Sequence, residues 1–219
     1  MKKSEIFKRQ LDLVKPEELE FPILIIGAGG IGSWTALTLA KMGCSNITVV
    51  DHDTVETHNI PSQFYKTDQI GWYKVNALKD NIKEFTDIEI NPIFGKYDEV
   101  KLETKPRVII CAVDSLKTRK EIWDSLQTED HWDCFIDARM GGETLRLFVI
   151  NPLHEPSVTK YEKSLTSKAK AHEEQCTAKA IVYNTQMAGG LVANLVKKFA
   201  KQEQTKMSFI VDMIQQEIV

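Results

Sequence analysis

Residues 21–33, Phe-Pro-Ile-Leu-Ile-Ile-Gly-Ala-Gly-Gly-Ile-Gly-Ser, constrain this chain more than any other stretch. A short β-branched apolar run stops abruptly at glycines. Residues 31–42, apolar or small and good helix formers, take over, and Gly43 stands where a helix C-cap belongs. A strand that enters a glycine turn and leaves as a helix opens a βαβ unit. Gly27, Gly29 and Gly32 keep the Gly-x-Gly-x-x-Gly spacing, which lets the backbone approach phosphate oxygens at the positive end of the helix. Asp51 ends the next apolar run, residues 47–50, about 20 residues on, where a carboxylate can hold a ribose hydroxyl. The other reading of the same glycines is a tight strand-to-helix turn that holds nothing. The spacing does not separate NAD from ATP.

The pattern after this unit keeps alternating. Residues 73–85 predict a helix with Val75, Leu78 and Ile82 on one face, and residues 116–126 a second. Strands are expected at 88–93, 108–113 and 134–137, and a half-exposed, alternating one at 144–150. Alternation of this kind predicts an α/β fold, a Rossmann-like and mostly parallel twisted sheet with helices on both faces. Residues 1–20 read as an N-terminal arm. Residues 151–176, with two prolines, many charges and almost no apolar periodicity, read as a flexible crossover. A last helix is expected over 178–200, interrupted at Gly189-Gly190. All 219 residues then form one domain.

Composition removes several function classes. Lys plus Arg (28) against Asp plus Glu (31) gives a net charge of −3, which argues against a general nucleic-acid binder. No apolar run approaches the ~18 residues of a membrane span. The polar start forms no hydrophobic stretch of the signal-peptide kind. The four cysteines lie far apart, so neither a disulfide scaffold nor a structural zinc site is expected. The expected location is the cytoplasm.

The residues between Asp51 and Arg119 separate the two nucleotides. Asp53, Val55, Asn59, Gln63, Gly71 and Lys74 follow Asp51, and Asp114 and Arg119 follow the fourth strand. A dehydrogenase needs none of these. An adenylating site needs most of them, because a lysine and an arginine neutralise a triphosphate and an aspartate holds Mg²⁺ while an anion attacks phosphorus.

This set resembles the ThiF/MoeB/ubiquitin-activating-enzyme (HesA/MoeB/ThiF) superfamily, in its compact, stand-alone form found in bacteria and mobile elements. The resemblance runs from about Arg9 to Phe199. It implies an enzyme that uses ATP and Mg²⁺ to adenylate the C-terminal carboxylate of a ubiquitin-like or sulfur-carrier protein ending in glycine. By the same resemblance Gly27, Gly29, Gly30 and Gly32 cradle the nucleotide and Asp51 holds its ribose. Asp53 belongs to the same nucleotide-binding motif. Asn59, Gln63 and Lys74 position phosphates, Asp114 ligates magnesium, and Arg119 completes the set. Arg9, in Lys8-Arg9-Gln10-Leu11, stands for the arginine finger that reaches into the partner subunit's site, which implies a homodimer. Ser62 replaces an arginine usual in the family and removes one expected phosphate contact, and Ser115 replaces an asparagine. A non-catalytic partner subunit of a two-chain activating enzyme is the alternative. An NAD-dependent oxidoreductase ranks behind both.

Cys176 stands where the charged segment meets the last expected helix. A thiolate there gains from the helix dipole, so Cys176 is a candidate acceptor of the activated acyl group, with capping or packing as the other reading. Cys44, Cys111 and Cys134 read as buried small hydrophobes. His52, Asp53 and His58, or His172 with Cys176, offer too few ligands to close a zinc site.

Overall fold

The computed structural model describes residues 3–127, 132–166 and 180–219. After a short N-terminal turn of helix, α1 (Lys3–Ile6), the first strand β1 (Ile23–Ile26) is buried along its whole length. It sits at the centre of an eight-stranded sheet of order β3-β2-β1-β4-β5-β6-β7-β8. The strands β2 (Ile47–Asp51), β3 (Asn91–Phe94), β4 (Val108–Cys111) and β5 (Cys134–Gly141) join β1 in parallel. The last three, β6 (Thr144–Ile150), β7 (Ser208–Asp212) and β8 (Glu217–Ile218), are antiparallel. The expected α/β architecture is therefore present, with an antiparallel extension.

Strand periodicity divides the core. Ile23 and Ile25 face α2 (Gly30–Lys41), α3 (Lys74–Thr86) and α6 (Val182–Ala200). Leu24 and Ile26 face α4 (Leu116–Leu126) and α5 (Glu155–Ser164). Each fully buried side chain of this kind contributes about 1.5–3 kcal/mol, so a double-faced β1 fixes both helical layers at once. No described helix is long and apolar enough to cross a membrane.

Three expectations need correction. The stretch read as a flexible crossover contains α5, whose Tyr161 is fully buried against Trp123, Phe135 and Phe148. Ser157 and Tyr161 are its only buried residues, too few to print a helical period among the charges. Residues 167–176 lie outside the described residues. The last helix is not interrupted at Gly189-Gly190, because α6 is continuous. A Cβ on Gly189 would lie 2.8 Å from the carbonyl carbon of Trp34, so this glycine admits α2 close to α6 rather than breaking the helix. Finally, β7 and β8 follow where no strand was expected. They form by pairing back onto β6, Phe209 opposite Leu147.

Candidate functional site

From β1 the chain proceeds to β2 and β3 on one side, whereas β4 and β5 lie on the other. Where the strand order reverses, the loops leaving the carboxyl ends of β1 and β4 part and open a crevice. Here it is a cleft of about 1150 Å³.

The glycine turn forms its floor. Gly27 has φ +97°, and a Cβ there would meet the Ala112 carbonyl oxygen at 2.7 Å. At Gly32 a Cβ would sit 1.8 Å from the Gly27 carbonyl oxygen. These two glycines serve packing. Gly29 differs: nothing lies within 4 Å of its would-be Cβ, and it lines the open cleft at the start of α2. Asp51 ties β2 to this turn. Its carboxylate accepts from the Ala28 N–H at 2.6 Å and from the Asp53 N–H at 2.7 Å. The Tyr65 hydroxyl donates to the Ala28 carbonyl at 2.6 Å. Burial above all, then the charges of Asp51 and Asp53, push this phenol well above its usual range, so it stays a donor.

The residues expected downstream converge on the same cleft. Lys74, at the first position of α3, is 7% exposed, and its ammonium donates to Asp53 Oδ2 at 2.8 Å. Asn59 is buried in a 3₁₀ turn, where its Oδ1 accepts from the Glu56 N–H. Gln63 brings a buried Oε1 that has no partner among the described residues. Asp114, just past β4, is exposed and makes no hydrogen bond or ion pair with a described residue. Ser62 is buried, and its carbonyl accepts from the Trp34 indole at 3.0 Å and the Thr185 hydroxyl at 2.8 Å. Ser115 caps α4, accepting from the Thr118 N–H. The ligand atoms of Asp51, His52 and Asp53 lie within 4.8 Å of one another, three groups where a structural zinc site takes four.

Arg119 has protein partners of its own, and Arg9 lies outside the cleft lining. Arg119 borders the cleft, yet its guanidinium is directed at Asp137 and at the carbonyls of Val113 and Ala138. At 4% exposure an arginine needs such partners, and it straps α4 to β5 instead of reaching for a ligand. Arg9 is exposed and absent from the cleft lining. The neighbouring Gln10 donates to the Met42 carbonyl at 2.7 Å, at the end of α2 remote from the glycine turn. Cys176 lies outside the described residues. Cys44, Cys111 and Cys134 are buried, and burial raises each thiol to about 12. Sequence reasoning missed Arg139 and Arg146, which line the cleft from β5 and β6. Their placement depends on the β5–β6 register, which no local motif announces.

Comparison with known proteins bears on the family and the fold. The ThiF family model matches residues 8–216. The NEDD8-activating enzyme E1 catalytic subunit of Schizosaccharomyces pombe is 33% identical over 108 residues, 48% of this chain and 24% of that protein. The adenylyltransferase and sulfurtransferase MOCS3-1 of Zea mays is 33% identical over 107 residues, 47% of this chain and 23% of that protein. The match thus spans about a quarter of the length of these relatives. In fold, the chain resembles E. coli MccB solved with ATP, at TM-score 0.76 and 16% identity, covering 98% of this chain and 69% of that one. It also resembles MccB solved with AMPCPP and MccA, at TM-score 0.70 and 16% identity, covering 93% of this chain and 64% of that one.

Proposed function

This chain belongs to the ThiF family, and we propose that it is an ATP-dependent adenylyltransferase acting on the C-terminal carboxylate of a ubiquitin-like or sulfur-carrier protein. The observation that carries the reading is the convergence of Lys74 and Asp114 on the cleft floored by the glycine turn. Lys74 is desolvated, so its charge acts at full strength on an anion, and its present partner Asp53 is half-exposed and can be released to water. Gln63 Oε1 is a buried acceptor in need of a donor, which bound substrate would supply. Both features fit a nucleotide.

In the reaction, a carboxylate oxygen of the partner bonds to the α-phosphorus, and the bond from that phosphorus to the bridging oxygen of pyrophosphate breaks. The amides around Gly29 and the positive end of α2 hold phosphate oxygens. Asp51, whose two backbone bonds leave lone pairs available, accepts from the ribose hydroxyls. Lys74 stabilises charge that builds on the phosphoryl oxygens, and so acts mainly in the transition state. Asp114 would hold Mg²⁺, which would supply charge neutralisation at the leaving pyrophosphate. Arg9 acts in a neighbouring copy's cleft within a homodimer, and the Cys176 thiolate afterwards attacks the acyl carbon, forming a thioester as the bond to the AMP oxygen breaks and AMP leaves.

Titration of the purified chain with ATP–Mg²⁺ and with NAD tests the proposal, together with pyrophosphate exchange in the presence of a carrier ending in glycine. ATP binding without NAD binding, and carrier-dependent exchange, are the expected results. Tighter NAD binding would overturn the reading.

A further inference from the structure

The cleft extends past the nucleotide end to the β5–β6 hairpin, and the charges there are arranged unusually. Arg139 on β5 and Arg146 on β6 stand directly opposite each other in the antiparallel ladder. Directly opposed residues share a face, and like charges in that relation destabilise a sheet. Both guanidiniums approach one ring, that of Phe148, at 4.7 Å for Arg139 and 5.8 Å for Arg146. Arg139 is 6% exposed and fixed, bonding Asp137 at 2.7 Å and the Ser164 hydroxyl at 2.9 Å. Arg146 is exposed, lines the cleft, and makes no hydrogen bond or ion pair with a described residue. Arg139 has Asp137 beside it, whereas Arg146 keeps an opposed like charge and no ion pair with a described residue. An anion between the cleft and Arg146 offsets that repulsion.

We propose that Arg146, backed by Arg139, forms a subsite for a carboxylate side chain near the end of the acceptor protein's tail. The inference rests on the adenylation reading for what enters the cleft, but not for the existence of the subsite. Spacing supports an acceptor rather than the nucleotide. Neighbouring strands lie ~4.8 Å apart, so β6 is three steps, ~14 Å, from the glycine turn after β1 and two steps, ~10 Å, from Asp114 after β4. An extended chain covers ~10 Å in about three residues. A tail whose terminal carboxylate reaches the neighbourhood of Asp114 therefore presents its fourth-last residue to Arg146. A guanidinium there selects aspartate or glutamate through paired, charge-assisted hydrogen bonds.

The test uses the full chain and two synthetic octapeptides with free C-terminal Gly-Gly, identical except for Asp or Asn at the fourth position from the end. Fluorescence anisotropy should show the Asp peptide binding wild type about tenfold more tightly, the effect of one charge-assisted contact. Arg146→Gln should erase this preference while melting no lower than wild type, since it also removes the opposed charge. Arg146→Glu should shift the preference to a Lys peptide. Equal binding of the Asp and Asn peptides to wild type, or no detectable binding of either, overturns the proposal. So does a tenfold loss of ATP affinity in Arg146→Gln, which would give the arginine to the phosphates. A wild type that prefers the Asp peptide yet binds no ATP would leave the subsite standing and remove the adenylation reading instead.

Discussion

The ammonium of Lys74 donates to Asp53 Oδ2 at 2.8 Å, with 8% of the lysine side chain exposed against 51% of the aspartate's. The asymmetry separates the two partners' roles. A buried lysine is costly without an anion, whereas the aspartate can turn to water. Lys74→Met keeps the apolar stem and removes the charge. It should lower ATP affinity by about 100-fold, the worth of a strong charge-assisted contact, with little change in melting temperature. Asp53→Ala should behave oppositely, losing about 1–3 kcal/mol of stability in denaturant because the lysine is left unpaired, with added ATP restoring part of it. Isothermal titration and urea unfolding check both arms. ATP binding by Lys74→Met at the wild-type level would end the phosphate assignment.

Two glycines of one turn should respond differently to the same methyl group. A Cβ at Gly32 would fall 1.8 Å from the Gly27 carbonyl oxygen, a backbone atom that cannot swing aside. Gly32→Ala should therefore cost on the order of 4 kcal/mol or more and yield little folded protein. Gly29 has a negative φ of −80°, with ψ −149° at the margin of the extended region, and open space beside it. Gly29→Ala should stay within about 1 kcal/mol of wild type in urea. It should still bind ATP poorly, because the methyl occupies the approach to the amides.

What the sequence revealed and what it hid follow from the range of the interactions involved. β1, the glycine turn and α2 are contiguous, so their apolar runs and spacing carried the whole unit. Asp51 was read from its distance to the turn, and Asn59, Gln63 and Lys74 from the downstream block and its resemblance to a family; all four line the one cleft. The pairing of Arg119 with Asp137 was not legible, because Asp137 comes from another strand. α5 hid because only Ser157 and Tyr161 turn inward. Gly189 looked like a break because no local feature distinguishes a glycine that ends a helix from one that admits a neighbour. Arg139 and Arg146 meet only once β5 and β6 pair.

Asp114 separates chemistry from folding. It is exposed and bonds to no described residue, so Asp114→Asn should leave the unfolding midpoint unchanged within about 0.5 kcal/mol. The same variant should abolish carrier-dependent pyrophosphate exchange, and raising Mg²⁺ should recover only part of it. Exchange at the wild-type rate would remove Asp114 from the metal's ligands.

The cysteines divide by burial. Cys44, Cys111 and Cys134 are buried, and burial lifts each thiol to about 12, with the Asp137 charge adding to the effect at Cys111. Since the thiolate is the nucleophile, these three stay protonated and unreactive at pH 8. Iodoacetamide on the native protein should place at most one label, on Cys176, and four after denaturation. Labelling of any other cysteine in the native protein would contradict the packing, and an unreactive Cys176 would count against its part in acyl transfer.

Arg9 supplies the test of assembly. Its neighbour Gln10 bonds the Met42 carbonyl just past α2, whose 12 residues separate that end from the glycine turn. At 1.5 Å per residue the separation is ~18 Å, too far for an arginine to reach its own cleft. If Arg9 contributes to catalysis, it does so in a second copy. Arg9→Ala and Lys74→Met chains should each be nearly inactive alone in pyrophosphate exchange. In a heterodimer carrying distinct affinity tags, one of the two sites keeps Lys74 from the first chain and receives Arg9 from the second. Activity should return to at most half of wild type, because the other site lacks both groups. Tandem purification establishes that the mixed dimer has formed before the assay. A mixed dimer that stays inactive would refute action in trans, and a chain that remains monomeric at assay concentration while still exchanging pyrophosphate would show that no arginine from a second copy is needed.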